Sequence, residues 1–358
     1  MTRIDPQWRG IFPFFIALPV LALVWFLTKD APFFVILSLG VGMNVILAVS
    51  LNIVNGMTGQ FSIGHAGFMA VGAYVGGVTS IALVSLMSHL TGFGLVTAPV
   101  ASGFGGQVLF VISLVVGAST AGLFGFLVGL PSLRLKGDYL AIVTLGFGEI
   151  IRVVVQNTEA FGRALGLSGV PQWTSLFSCW LLVFITILVA RRIAASTHGR
   201  SLLAIREDEV AAEAMGVDTT AYKVRSFVVA AFFAGLAGAV FAHYQSIVSP
   251  GSFTFVKSME IVVMIVAGGL GSTTGAVTAA VFLTLLPEAM RTFFLWLGER
   301  LNLDPVAAGE LAQKADQARM PIYGILLVLM MLLRPQGLFG TRELWDLGPF
   351  RRRARGAK

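Results

Sequence analysis

The chain has 358 residues, 56% of them hydrophobic and only 12% charged, with a mean hydropathy of +0.85. A soluble globular domain carries about 25% charged residues, so half of the usual polar surface is missing and a water-soluble fold is excluded. The net charge of +7 does not point to nucleic acid, because the basic residues stand at the ends of apolar blocks, where membrane topology accounts for them.

Only helices and closed barrels satisfy every backbone group in lipid. The apolar runs are long and continuous, without the alternation of barrel strands, so an all-α polytopic membrane protein of about ten spans is expected. In chain order the spans are Ile11–Leu27, Phe33–Val54, Ile63–Met87, Val108–Leu130, Tyr139–Val155, Leu176–Ile193, Phe227–Ile247, Met259–Gly268, Ala276–Leu297 and Ile322–Leu333. The first follows Arg3 and Arg9 and resembles a secretory leader, but no small-residue cleavage site follows, so it reads as an uncleaved span. Met259–Gly268 and Ile322–Leu333 fall short of the roughly 20 residues that cross about 30 Å of hydrocarbon, which leaves eight or nine spans as the alternative.

Loop charge gives an independent orientation. With the N-terminus inside, the inner segments hold Arg3, Arg9, Arg134, Lys136, Arg191, Arg192, Arg200, Arg206, Lys223 and Arg225, and the tail adds Arg334, Arg342, Arg351, Arg352, Arg353, Arg355 and Lys358. That is 17 of the 25 basic residues, so the positive-inside rule is met by an even number of spans with both termini cytoplasmic. Residues 1–358 read as one transmembrane domain, with a polar inner loop at 194–226 and a basic tail at 341–358. In the loop, Leu202, Leu203, Ile205, Val210, Ala211, Ala214 and Met215 recur among charges at helical spacing, and Gly216 follows as a stop. Such short amphipathic helices need a partner surface for their apolar stripe. Cys179 lies inside an apolar run and reads as a small buried hydrophobe.

Glycine placement is uneven. Gly72, Gly76, Gly125 and Gly129 have the four-residue spacing that lets helices pack closely. Two denser clusters, Asn55 to Gly67 and Ala267 to Ala276, interrupt apolar sequence in each half of the chain. Interrupted hydrophobic segments in corresponding halves suggest inverted repeats, with non-helical backbone lining a cavity or buried in protein. The second cluster is no phosphate loop, for it lacks the Gly-Lys-Ser/Thr step and follows no expected strand. His65, Glu149, Arg152 and Glu260 stand at membrane depth, where an ionisable group is costly and marks a functional hypothesis. The competing reading is structural. Glu149 and Arg152 are three apart and can pair, and His65 can donate to a carbonyl of the interrupted helix. No His, Cys and carboxylate cluster has metal-ligand spacing, and no nucleophile has a base nearby in sequence.

Five segments resemble the branched-chain amino-acid ABC permease family: Ser50 to Phe68, Leu133 to Arg152, Ala204 to Gly216, Gly268-Gly-Leu-Gly-Ser and Arg334-Pro-Gln-Gly-Leu, in the family's order. The resemblance implies an inner-membrane subunit of an ATP-driven bacterial importer for leucine, isoleucine and valine. It implies four partners in kind: a second homologous permease, two ATP-binding cassette subunits that hydrolyse the ATP, an external or periplasmic solute-binding protein, and the lipid bilayer. No cofactor and no enzymatic step belong to this chain. Within it, Gln60, Ser62, Gly64, His65 and Glu149 become candidates for the substrate path. Val210 to Gly216 corresponds to the coupling helix, whose motif runs Glu-Ala-Ala and then Gly four positions on. Val210 replaces the Glu, while Ala211, Ala212 and Gly216 match; these three with Arg206 and Glu209 are the expected ATPase-coupling residues, Arg206 to Glu209 forming the solvated rim of that contact. One departure falls before Leu167-Ser168-Gly169, where the family's Thr-Gly-Gly step is Phe161-Gly162-Arg163 here. Related permeases carry urea or short-chain amides, which stands as an alternative cargo. A stand-alone secondary transporter would need midplane carboxylates, for which Glu149 is the best candidate.

Overall fold

The computed structural model describes residues 32–90, 104–132, 138–245, 247–301 and 319–334, together with the single positions 309, 313, 314, 337, 338 and 340. The expected first span Ile11–Leu27, the cations Arg134 and Lys136, and the basic tail 341–358 lie outside the described residues. Each of the nine other expected spans is a helix. They are α1 (Pro32–Asn52), α2 (His65–Leu90), α3 (Phe104–Ser132), α4 (Asp138–Asn157), α5 (Leu176–Ala195), α8 (Thr219–Tyr244), α9 (Phe255–Gly268), α10 (Thr273–Arg300) and α11 (Arg319–Leu333). Between α5 and α8 the polar loop forms α6 (Thr197–Glu207) and α7 (Glu209–Ala214).

Seven helices among the described residues are long and apolar enough to cross a membrane. At 14 and 15 residues, α9 and α11 are the short ones, as their apolar runs foretold. With a rise of 1.5 Å per residue, α9 covers about 21 Å of the roughly 30 Å of hydrocarbon. The largest shift in a boundary is at α8, which begins at Thr219 rather than Phe227. Asp218 caps it by accepting from the Ala221 N–H at 2.9 Å, so two polar turns extend the helix out of its apolar stretch.

The turns sort onto two faces. On one, the end of α1, the loop helix α6 and the α9–α10 turn meet: Arg206 donates to the Gly56 carbonyl at 3.0 Å, and the Gly271 N–H donates to Asn52 Oδ1 at 2.9 Å. On the other, β1 (Leu167–Ser168) and β2 (Ile247–Val248) pair antiparallel, joining the segments that follow α4 and α8. Tyr74 fastens this pair to α2, its hydroxyl donating to the Val248 carbonyl at 2.8 Å.

Helices α2, α3 and α8 are packed backbone to backbone. A Cβ at Gly72 would overlap the backbone of Gly235, and one at Gly238 would overlap Met69. A Cβ at Gly117 would stand 2.7 Å from the Gly72 carbonyl oxygen. Lipid tails are as apolar as leucine, so no hydrophobic gain drives two spans together; close approach of backbones does. The stripe expected from spacing is therefore real for Gly72, Gly76 and Gly125, which press on Gly235, Ala239 and Ala231 in turn. Cys179 is buried against Gly42, joining α5 to α1, as its place in an apolar run suggested. Gly72→Val should lower the stability of the purified chain by about 1–3 kcal/mol, as overpacking does. Gly40, with nothing within 4 Å of its would-be Cβ, should accept Ala without loss; unfolding followed in detergent checks both.

Candidate functional site

The two glycine clusters, far apart in sequence, are one place in the structure. The first begins where α1 widens into a π-turn over Ile53–Met57 and then leaves helical geometry until His65. The second is the tight turn between α9 and α10, where Gly269 and Gly271 take φ of 110° and 90°. Those values favour glycine, because a Cβ there would crowd the backbone. Gly56 and Gly271 are in backbone contact, with no room for a side chain at Gly56.

Breaking a helix inside a membrane frees backbone groups that have no water to bind. Here side chains take them up. Asn55 bonds Ser62 twice, its Nδ2 donating to the carbonyl and its Oδ1 accepting from the N–H, both at 3.2 Å. Thr144 of α4 accepts from the Ile63 N–H at 3.1 Å, and Ser258 of α9 accepts from the Ala66 N–H at 3.0 Å. Thr58 returns a bond to the Val54 carbonyl at 2.6 Å, while Ser272 caps α10 by accepting from the Gly275 N–H at 3.0 Å. Among the described residues no buried side-chain polar atom lacks a partner.

Of the expected path residues, Gln60, Ser62, Gly64 and His65 are brought together in this segment, and Gln60, Ser62 and His65 are buried. His65 Nε2 stands 2.8 Å from Ser50 Oγ, so its partner is a hydroxyl of α1 rather than a carbonyl of the interrupted helix. Gly64 is a point of contact, not of open space: a Cβ there would overlap the Thr144 carbonyl. Glu149 is not part of the group. Its carboxylate accepts from Arg152 Nε at 2.7 Å, the i,i+3 pair that spacing allowed, although neighbouring Gly148 packs against Gly67. Glu260 is also paired, with Lys257 at 3.2 Å, and Lys257 reaches Asn44 Oδ1 at 3.0 Å. Asn44, Asn52, Asn55, Thr144 and Ser258 do not stand out in the sequence as site candidates. The available signal was an uncharged polar residue inside an apolar run, and it is weaker than a charge.

The loop helices form the second part. Asp208 joins them without slack, since its N–H bonds the Ala204 carbonyl of α6 while its carboxylate accepts from the Val210 and Ala211 N–H groups of α7. The Gly216 φ is 83°, the left-handed stop that its position suggested. Ala212 is buried against the chain's own body, whereas Ala211 is outward, so the two do not share one face. The most exposed of the large apolar residues here are Val210 and Met215, at 69% and 84%. The expected rim is only partly a rim. Glu209 binds the buried Lys223 at 2.6 Å, and Arg206 turns inward to Gly56. On the opposite face, Arg163 takes φ 54° and pairs with Glu159, so the departure from Thr-Gly-Gly puts a side chain on a left-handed backbone.

Asn55→Leu should leave the Ser62 N–H and carbonyl buried without partners, at about 1–3 kcal/mol for each group. Thermal unfolding of the purified chain reads the loss, and an unchanged midpoint would contradict the role given to Asn55.

Comparison with known proteins places the chain in a family. The family described as "Branched-chain amino acid transport system / permease component" matches residues 34–333. The high-affinity branched-chain amino acid transport system permease protein LivM of Salmonella typhimurium is 34% identical over 82% of this chain and 67% of its own length. LivM of Escherichia coli is 33% identical over 91% of this chain and 74% of its own. The high-affinity branched-chain amino acid transport system permease protein LivH of Escherichia coli is 24% identical over 84% of this chain and 92% of its own length. The family match over residues 34–333 and the identity to the two LivM proteins show that the chain belongs to the branched-chain amino acid transport permease family.

Proposed function

We propose that the chain is one membrane-spanning subunit of an ATP-driven importer in the bacterial inner membrane, with both termini in the cytoplasm. Its cargo is a branched-chain amino acid, leucine, isoleucine or valine, delivered from outside by a solute-binding protein. A second homologous permease completes the path, and two ATP-binding cassette subunits supply the energy. ATP is used by those subunits and not by this chain, whose sequence has no phosphate loop.

The observation that carries the reading is the outward stripe of α7. Val210 on α7 and Met215 at its C-terminal cap stand exposed, while Ala212 is buried behind them, Glu209 holds Lys223 and Asp208 caps the helix. A pinned helix with an apolar outer face suits a groove on a partner, the helix-in-groove mode of recognition. Contact there would push on the chain rather than fold the loop aside. The permease systems of the relatives support the cargo, and the inside excess of basic residues supports the orientation.

Purification of the tagged chain from its native membrane tests the reading. An ATPase and a second permease should co-purify, and the reconstituted complex should take up leucine only with ATP. Met215→Glu should weaken retention of the ATPase roughly thirtyfold, the size of a lost hot spot. Leucine uptake without ATP by the chain alone would overturn the proposal.

A further inference from the structure

The side chain of Arg206 crosses from the loop to the broken backbone, and three separate contacts define its place. Its Nη1 donates to the Gly56 carbonyl at 3.0 Å. Its stem lies against Gly59, where an added Cβ would be 2.7 Å from Arg206 Cγ. Its head lies against Gly271, where an added Cβ would be 2.9 Å from Nη1. Gly59 and Gly271 belong to different breaks, and both take the left-handed backbone, with φ of 70° and 90°. A side chain at either glycine would push Arg206 out of its seat.

We propose that Arg206 is a positioning residue that latches the loop helices to both backbone breaks at once, so that movement of α6 and α7 is passed to the inner end of the path. The inference rests on the coupling role proposed for α7. Arginine suits the task because its planar fork donates in two directions. Nη1 takes the Gly56 carbonyl while Nη2 holds Glu207 at 3.0 Å. The loop side of the latch is stiff. Leu202 and Ile205 seat α6 in the body, and Asp208 caps α6 and α7 together, so a push on Val210 or Met215 displaces Arg206 instead of being absorbed by a hinge. The membrane side is stiff as well, since Asn52 binds Gly271 and thereby ties the second break to the first.

The test compares the parent complex with Arg206→Gln and Arg206→Lys, reading leucine uptake and ATP hydrolysis on the same proteoliposomes. Arg206→Gln should keep its ATPases and still hydrolyse ATP, yet import about tenfold less per ATP, the effect of losing one charge-assisted bond. Arg206→Lys, which keeps the charge without the fork, should recover part of the ratio. A second measurement needs no partner: spin labels at Leu203→Cys and Leu270→Cys of the full chain in lipid, with Cys179→Ala as background. Their distance distribution should be narrow in the parent and broaden in both Arg206 variants. An uptake-to-hydrolysis ratio equal to the parent's, or an unchanged distance distribution, overturns the latch. If no ATPase accompanies the parent, the proposed function fails, and the distance measurement alone still decides the latch.

Discussion

Everything in this structure depends on how backbone N–H and carbonyl groups find partners where water does not reach. An uninterrupted helix solves that problem internally, which is why apolar sequence folds into helices in a membrane. Leaving helical geometry creates the problem anew, and among the described residues it arises where α1 gives way to the segment before His65 and at the turn between α9 and α10. The solution is a set of short polar side chains, Asn52, Asn55, Thr144, Ser258 and Ser272, each placed to take a particular freed group. Non-helical backbone held in this way keeps a defined shape although its groups have no helical partners.

The same constraint explains the glycines. Side-chain oxygens reach the freed backbone only when helices approach closely, and close approach requires that nothing larger than hydrogen stand between them. Gly56 against Gly271, and Gly64 against Thr144, bring the breaks within bonding range. Gly72, Gly117 and Gly235 fix α2, α3 and α8 into the scaffold from which the first break departs at His65. Scaffold and site are thus made by one device, small residues that let backbones touch.

Much of this was legible in the sequence. Long apolar runs foretold the helices, the shortness of Met259–Gly268 foretold α9, and glycine clustering located both breaks. That the breaks touch was not legible, because no local pattern records a contact between residues as distant as Gly56 and Gly271. Nor was the direction of individual side chains on the loop. Helix α7 has only six residues, too few for a periodicity to say that Ala212 faces in and Ala211 out. Arg206 looked like a solvated charge because most loop arginines are, and its carbonyl partner lies 150 residues away. The asparagines carry no charge and therefore no cost that stands out; their importance shows only once the freed N–H groups they face are located.

The central claim is that the interrupted segment is held as firmly as the helices around it, by side chains substituting for helical partners. Hydrogen exchange of the chain in lipid, resolved at the amides of Ser62, Ile63, Ala66 and Gly271, measures this directly, since exchange reports the opening of each bond. The account predicts protection there comparable to that of the flanking turns of α1 and α2. Exchange at these amides as fast as in an open, unbonded chain, while the flanking helices stay protected, would contradict it.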